Sequence, residues 1–450
     1  MTEALAVWPA EGGRPTKLLP IPQLIRISLY WLGLASIFTG LGQINVGRLE
    51  FTGIVEKGHT GEALFLVNIL GALVAVAVQP TIGVISDYTT SRWGRRKPYI
   101  FIGSILDVVF LIGIANSYTI VSIAAFIVLL QLSSNFAQGP FQGYVPDLVP
   151  APQVGLASAV VGLMQIFGNV VGFGVGAIAV ATNQFALGLI ALGILELVTM
   201  LSVVIRVDDG KAPLPRAGKS WLTIAKSAWG TDILQERSYV WLVASRLFIL
   251  MAGSLLLTYV IPYLHRSQGL AQEETGGPQI IILVLVAVGN LITIVPAARI
   301  SDRIGRKPVI WASCLIGAIG VGTVALAPSV PVAIVGAGLF GASAGMFLAV
   351  DWALMTDIIP KASSGRYMGI SNLATGSAGT IAQLIGGAIV MDTVGQVFGD
   401  AAGPRATMAL AVVCYAIGAI LLRPVDERRR EDAPEAPVGG TAQEPDAALA

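Results

Sequence analysis

Residues 83–98 read Gly-Val-Ile-Ser-Asp-Tyr-Thr-Thr-Ser-Arg-Trp-Gly-Arg-Arg-Lys-Pro, and residues 301–308 read Ser-Asp-Arg-Ile-Gly-Arg-Lys-Pro. The two stretches share an Asp, a Gly and a basic run that ends in Pro. A shift of 210 residues places the first basic run on the second without a gap, and it also aligns Asp147 with Asp357 and Pro150 with Pro360. A match of unusual residues in one register indicates an internal duplication.

The chain around these loops is strongly apolar. Hydrophobic residues make up 54% of the 450 residues, and charged residues make up only 12%. Soluble proteins carry about 25% charged residues, so this chain lacks the residues to build a soluble surface. A formal net charge of +1 also argues against a nucleic-acid partner. The composition therefore predicts a protein that lies in a lipid bilayer.

Twelve apolar runs are long enough to span a membrane, which takes about 20 helical residues. The predicted spans are 23–47, 62–85, 99–117, 119–145, 155–181, 184–205, 238–262, 277–298, 308–327, 331–357, 366–391 and 405–422. The polar stretch 206–237 separates six spans from six. We therefore predict an all-α membrane protein with twelve transmembrane helices in two homologous six-helix bundles.

The predicted domain organisation follows from this division. It comprises a cytoplasmic N-terminal segment at 1–22, an N-terminal bundle at 23–205, a cytoplasmic linker at 206–237, a C-terminal bundle at 238–422 and a disordered cytoplasmic tail at 423–450.

The distribution of Lys and Arg predicts the orientation. Most of the 28 Lys and Arg residues fall in segments on the same side as both termini. The opposite side carries only Arg48, Lys57, Arg266 and Arg405. We expect a multi-pass protein of the inner cell membrane with both termini in the cytoplasm.

The duplicated loops carry charges that can pair. An Asp at a helix end beside a basic turn can bind arginines or a neighbouring helix N-terminus. We expect such pairs to form a latch that holds one conformation and is released in another. A basic cluster that merely sets topology is the alternative, but the Asp in both halves favours the latch. Its predicted members are Asp87, Arg92, Arg95, Arg96, Asp147, Asp302, Arg303, Arg306 and Asp357.

The two loops resemble the signature loop of the major facilitator superfamily, which occurs in both halves of these secondary transporters. The insertion 88–91 before Arg92-Trp93-Gly94, and the stretch 135–140, are similar to the sucrose carriers and the related glycoside–pentoside–hexuronide symporters. The resemblance implies the major facilitator fold and a cavity between the halves. Plant sucrose carriers have an embedded Asp where this chain has Gln131, and an Arg where it has Gln142.

Helix 4 carries the clearest binding signal. Gln131, Asn135, Gln138 and Gln142 recur at spacings of four, three and four, which places the four amides on one helical face. Amides donate and accept hydrogen bonds, which suits an uncharged, hydroxyl-rich solute. Hydrogen bonding between helices is the alternative role. The resemblance implies that helix 4 lines the cavity. Further candidate binding residues are Gln43, Asn45, Tyr259 and Trp352.

Four charged residues fall inside predicted spans: Asp107, Glu196, Arg246 and Asp351. Each costs about 2.5–3.5 kcal/mol at a helix centre, so each is expected to be paired or to face water. Helices 7 and 10 line the cavity in the superfamily, which makes Asp351 with Arg246 the first choice for coupling. Asp107 and Glu196 are the next candidates, and a structural role is equally open for them.

No cofactor, metal site or enzymatic constellation is expected. Cys314 and Cys414 lie in apolar runs, and His59 and His265 lie in loops without a second ligand nearby. The pattern Gly336-Ala-Gly338-Leu-Phe-Gly341 matches a dinucleotide fingerprint but lies inside a predicted span with no strand before it.

The sequence therefore predicts a secondary active transporter that moves a sugar, a glycoside or a similar hydroxylated solute by alternating access, coupled to protons. The expected partners are that solute, protons and the lipid bilayer, and the expected state is a monomer. One alternative is a carrier or exporter for a different amphiphilic solute. The other is a carrier-like sensor or assembly factor that does not transport, but such a protein needs neither the duplicated loops nor the charges inside the spans.

Overall fold

The computed structural model describes residues 17–208, 220–221, 223, 237–358 and 376–426. In this part of the chain, twelve helices are long and apolar enough to cross a membrane. They are α1 (Ile21–Phe51), α2 (Thr60–Asp87), α3 (Lys97–Ala115), α4 (Ile120–Leu148), α5 (Val154–Ala181), α6 (Phe185–Arg206), α7 (Arg237–Ser267), α8 (Gln272–Ile304), α9 (Arg306–Leu326), α10 (Val330–Ile358), α11 (Gly376–Phe398) and α12 (Ala402–Leu421). The predicted all-α architecture with twelve spans is confirmed.

Several helices continue beyond the apolar run that predicted them. The helix α8 extends past both ends of the predicted span 277–298. Its first turn contains Glu273 and Glu274, and the Glu274 carboxylate accepts a hydrogen bond from the Ala271 N–H at 3.0 Å. Acidic residues stabilise a helix N-terminus. Hydropathy marks the hydrocarbon region, whereas capping decides where the helix begins.

The six helices of each half pack in the same pairs. In the N-terminal half α1 packs on α5 and α6, α2 packs on α4, and α3 packs on α4 and α6. In the C-terminal half α7 packs on α12 and makes only a small contact with α11, α8 packs on α10, and α9 packs on α10 and α12. The halves meet through α2 with α11 and α5 with α8, which are equivalent pairs in the duplication. The sequence repeat is therefore also a repeat of helix packing.

Small residues allow the close contact between α1 and α5. A Cβ atom at Gly168 would lie 2.4 Å from the Leu32 carbonyl oxygen, and one at Gly172 would lie 2.4 Å from the Ser36 carbonyl oxygen. The Ser36 hydroxyl donates to the Gly168 carbonyl at 3.0 Å. Close backbone approach of this kind lets helices associate in a membrane. Lipid tails are as apolar as the helix side chains, so the hydrophobic effect does not drive the helices together there.

The two ends of the bundle differ in what they carry. The described chain begins and ends on one face, here called the terminal face, and the α1–α2 and α7–α8 connections lie on the opposite face. Most of the predicted linker 206–237, the loop after α10 and the tail from residue 427 lie outside the described residues.

Candidate functional site

The loop between α2 and α3 brings four charged side chains together on the terminal face. Gly94, with φ +105°, makes a turn that L side chains rarely adopt. The turn directs Arg95 and Arg96 towards Asp87 at the end of α2 and Asp147 near the end of α4. Arg96 Nη2 lies 2.7 Å from Asp87 Oδ1 and 2.8 Å from Asp147 Oδ2.

Arg95 joins the same network. It contacts the Asp147 carboxylate, and its Nη1 lies 3.5 Å from Asp87 Oδ1. Arg96 also donates through Nη1 to the Pro140 carbonyl at 2.8 Å. Both guanidinium groups are buried. The structure thus places the N-terminal members of the predicted latch in one network across α2, α3 and α4, apart from Arg92, which is exposed.

The equivalent loop of the C-terminal half is more open. Arg306 pairs with Asp302 at 2.8 Å and also donates to the Ser301 hydroxyl at 2.7 Å. The Asp302 side chain is 65% exposed, whereas that of Asp87 is 29% exposed. Arg303 is exposed, and the side chain of Asp357 lies outside the described residues. The duplicated sequence therefore forms two networks of different burial.

The lysine of each loop has the same role in both halves, which the sequence reasoning missed. Lys97 lies 3.7 Å from Asp208, directly after α6. Lys307 donates to the carbonyl groups of Arg423 and Val425, directly after α12, at 2.9 Å and 2.7 Å. Each lysine ties the third helix of its half to the end of the sixth.

The amides of α4 hydrogen-bond to one another along the helix. Asn135 is 3% exposed, and its Nδ2 donates to the Gln131 carbonyl at 2.7 Å and to Gln131 Oε1 at 3.0 Å. The Gln131 side chain packs over Gly71 of α2, where a Cβ atom would lie 2.9 Å from Gln131 Cγ. Gln138 is half-buried and Gln142 is exposed. The stripe as a solute site stays a prediction.

Of the other predicted binding residues, Gln43 lies in the contact between the halves. Gln43 of α1 donates to the Leu257 carbonyl of α7 at 2.9 Å, and its Oε1 accepts from Gln279 of α8 at 2.7 Å. Tyr259 is fully buried, with its hydroxyl 3.4 Å from the Gln383 carbonyl. Asn45 is also buried. The side chain of Trp352 lies outside the described residues.

The four charges inside the spans form two pairs, one in each half. In the C-terminal half, Arg246 Nη1 lies 3.2 Å from Asp351 Oδ2, with the two side chains 4% and 1% exposed. Within the described residues neither oxygen of Asp351 accepts a hydrogen bond, so charge attraction holds the contact. In the N-terminal half, Asp107 and Glu196 lie together, each fully buried.

A buried ion pair across the two halves was not predicted. On the opposite face, Arg266 of α7 donates through Nε and Nη2 to both oxygens of Glu50 on α1, each at 2.6 Å. Arg266 also donates to the Thr60 hydroxyl at 2.7 Å, and Thr60 donates to Glu50 at 2.9 Å. Two parallel hydrogen bonds give an arginine–carboxylate pair both strength and a fixed geometry.

A second cross-half contact lies beside this pair. The carboxylate of Asp392 on α11 accepts hydrogen bonds from the Gly61 and Glu62 N–H groups at 3.2 Å and 2.8 Å, which caps the N-terminus of α2. At Gly61 a Cβ atom would lie 2.2 Å from the Gly387 carbonyl carbon, so backbone packs on backbone. Together, Glu50, Thr60, Gly61, Arg266, Gly387 and Asp392 form what we call the opposite-face gate, and it is closed.

One signal could have indicated the gate. Arg266 is one of four cations on the side opposite the termini, and Glu50 and Asp392 are acids near span ends on that same side. Sequence reasoning treated these charges as ordinary loop residues.

Two known transport proteins are similar in sequence to part of this chain. The chain is 32% identical over 130 residues to the sucrose transport protein SUC3 of Arabidopsis thaliana, covering 24% of this chain and 22% of that protein. It is 28% identical over 177 residues to the general alpha-glucoside permease of Schizosaccharomyces pombe, covering 34% of this chain and 31% of that protein. The chain therefore matches about a fifth to a third of the length of these relatives.

Solved structures share the fold over nearly the whole chain. A nucleoside transporter, NupG, superposes with a TM-score of 0.67 at 15% identity, over 89% of this chain and 98% of that one. A D-xylose-proton symporter gives 0.66 at 16% identity, over 91% and 99%. The sequence profile of the Major Facilitator Superfamily matches residues 34–288 and 248–445. The resemblance seen in the duplicated loops is thus confirmed, and the chain belongs to the Major Facilitator Superfamily as a multi-pass membrane transporter rather than an enzyme.

Proposed function

We propose that the protein carries a sugar, a glycoside or a similar hydroxylated solute. The observation that carries this proposal is the amide stripe of α4. Asn135 donates to Gln131 within the stripe, and no described residue accepts a hydrogen bond from the Gln131 or Gln138 amide, so these groups could bind a solute at membrane depth. The relatives named as sucrose and alpha-glucoside carriers support the same solute class. A carrier or exporter of an amphiphile would need mainly apolar surface instead.

The closed gate supports movement of the solute by alternating access. The Glu50–Arg266 pair and the Asp392 cap hold the two halves together on the opposite face. A solute can cross that face only if these contacts separate. We infer a second conformation in which the halves part on the opposite face and close on the terminal face. In the proposed orientation, the terminal face is the cytoplasmic side of the inner membrane.

In this proposal, the Arg246–Asp351 pair couples transport to protons. A proton on Asp351 removes the negative charge that faces the buried Arg246 guanidinium, and the attraction between α7 and α10 at this point is lost. Binding of the proton is thereby linked to the arrangement of α7 and α10. If two conformations bind the proton with different affinities, proton binding shifts the equilibrium between them.

Uptake by reconstituted liposomes tests the proposal. Uptake should be screened over sugars and glycosides, with and without an imposed pH gradient. Wild-type protein should concentrate its solute only with the gradient. Asp351→Asn should abolish accumulation and leave downhill exchange measurable, whereas Glu56→Gln, at an exposed acid in the α1–α2 loop, should behave like the wild type.

Three results would contradict parts of the proposal. Accumulation by the Asp351→Asn variant would make Asp351 structural. A wild type that moves sugar with no response to the gradient would be a facilitative carrier, and no flux with any hydroxylated solute would refute the solute class.

A further inference from the structure

Asp107 and Glu196 form a buried acid pair in the middle of the N-terminal half. Asp107 lies near the centre of α3 and Glu196 near the centre of α6, and each side chain is 0% exposed. A Cβ atom at Gly193, one turn before Glu196, would lie 3.3 Å from Val108, next to Asp107, so α3 and α6 pack closely here and bring the two carboxyl groups together. Two carboxylates so placed would repel in a region that water does not reach.

The surroundings supply hydroxyl groups rather than cations. The Tyr30 hydroxyl of α1 donates to Glu196 Oε1 at 3.0 Å and lies 2.6 Å from Ser104 Oγ of α3. Ser133 of α4 donates to Asp107 Oδ1. Among the described residues no Arg, Lys or His interacts with either acid. The pair is therefore not an ion pair.

One oxygen of each acid lacks a donor. Asp107 Oδ2 and Glu196 Oε2 are both buried and accept no hydrogen bond from the described residues. An ionised carboxylate only accepts, so two facing carboxylates leave both oxygens unsatisfied. Burial of unsatisfied oxygens and of two charges is costly. A single proton between the groups supplies the missing donor and removes one of the charges.

We propose that Asp107 and Glu196 form a proton-binding site, distinct from the Arg246–Asp351 pair, that holds one proton between α3 and α6. The remaining negative charge is held by the hydroxyl groups of Tyr30 and Ser133. The occupancy of this site does not depend on the proposed function, whereas a role of its proton in transport rests on it.

One aromatic contact on α4 links the site to the latch on the terminal face. The Tyr30 ring meets the Phe141 ring edge to face, with centroids 4.9 Å apart. Phe141 follows Pro140, whose carbonyl accepts the hydrogen bond from Arg96. Loss of the proton would leave two negative charges beside the Tyr30 hydroxyl, and the Tyr30 ring packs on Phe141, next to the latch.

Infrared difference spectroscopy of the reconstituted protein at neutral pH, without solute, tests the site. A protonated carboxyl group has a C=O stretch that a carboxylate lacks. The spectrum of each single variant, Asp107→Asn or Glu196→Gln, is subtracted from that of the wild type. Each difference spectrum should show the loss of one such band. Asn and Gln supply the missing donor themselves, so both variants should fold. The Glu56→Gln control should show no loss.

Other outcomes would overturn the proposal. A wild type without the band, or with a band that either single variant retains, contradicts a shared proton. Loss of two different bands in the two variants would mean two protons, one on each acid. A band that appears only when sodium is removed would make the ligand a metal cation. If a single variant unfolds, the Asp107→Asn, Glu196→Gln double variant, which carries no acid at the site, must lack the band.

Discussion

At the scale of single residues, buried charges in this transporter are held by partners on other helices. Arg246 and Asp351 pair inside the C-terminal half, and Glu50 and Arg266 pair between the halves. Removing one member of a buried pair leaves the other without compensation, which costs on the order of 3–5 kcal/mol. The same removal at an exposed pair costs about 0–1 kcal/mol.

The gate pair offers a double-mutant test. Glu50→Gln leaves the Arg266 guanidinium buried opposite a neutral amide, so it should destabilise the closed protein by on the order of 3–5 kcal/mol. Arg266→Gln should do the same, and the double variant should recover much of the loss, because no charge then remains buried. Thermal unfolding of the purified proteins measures these changes. Single variants as stable as the wild type would show that the pair does not hold the gate.

The latch can be tested against its own duplicate. Asp87→Asn removes the charge that faces Arg95 and Arg96 and should lower transport several-fold with little change in expression. Asp302→Asn changes an exposed pair between the end of α8 and the start of α9 and should have a much smaller effect. Uptake rates normalised to protein amount compare the two. Equal rates in both variants and the wild type would reduce the loop to a signal for topology.

At the scale of helices, glycine contacts set how closely the elements approach. The α1–α5 contact depends on Gly168 and Gly172, and the contact of α2 with α11 depends on Gly61 and Gly387. The first contact lies within one half and is needed in every conformation. The second crosses the halves and exists only while the opposite face is closed.

Adding one methyl group at Gly61 tests the role of the contact between the halves. Gly61→Ala places a Cβ atom 2.2 Å from the Gly387 carbonyl carbon, so the backbones must separate and the closed gate should be lost. We expect a fold with near-normal stability and a strongly reduced transport rate. The control is Gly42→Ala on α1, where the added Cβ has nothing within 4 Å. Transport by Gly61→Ala at the wild-type rate would mean that the gate need not close this tightly.

At the scale of the whole molecule, the duplication predicts one orientation for both halves. If both termini are cytoplasmic, Lys57 in the α1–α2 connection is the only lysine on the outer side. It is exposed. An impermeant amine reagent applied to intact cells should label the wild type, and Lys57→Arg should abolish that labelling. Labelling that persists in the variant would contradict the orientation.

The sequence predicted the fold well because the physical signals are strong. Apolar length indicated the spans, and the register of Arg96 with Arg306 indicated equivalent helix packing in both halves. The proximity of Arg246 and Asp351 could also be anticipated, since a charge in a span needs a partner. The contact of Asp107 with Glu196 could not, because like charges are expected to lie apart and a shared proton leaves no trace in the sequence.

The gate shows a second limit of sequence reasoning. Glu50 and Arg266 are 216 residues apart, and each stands near a span end where charged residues are common. Hydropathy and periodicity describe single helices. Neither signal reports which helix ends meet across the two halves.

The cap that Asp392 places on α2 implies a role for water in the transport cycle. In the proposed second conformation, the Gly61 and Glu62 N–H groups lose the carboxylate that accepts from them. Such groups at a helix end are then satisfied by water, and the Asp392 carboxylate must be hydrated as well. Opening of this face is thus also a wetting step. Osmolytes, which are excluded from protein surfaces and disfavour newly exposed area, should therefore slow the opening and lengthen the time that the solute spends enclosed.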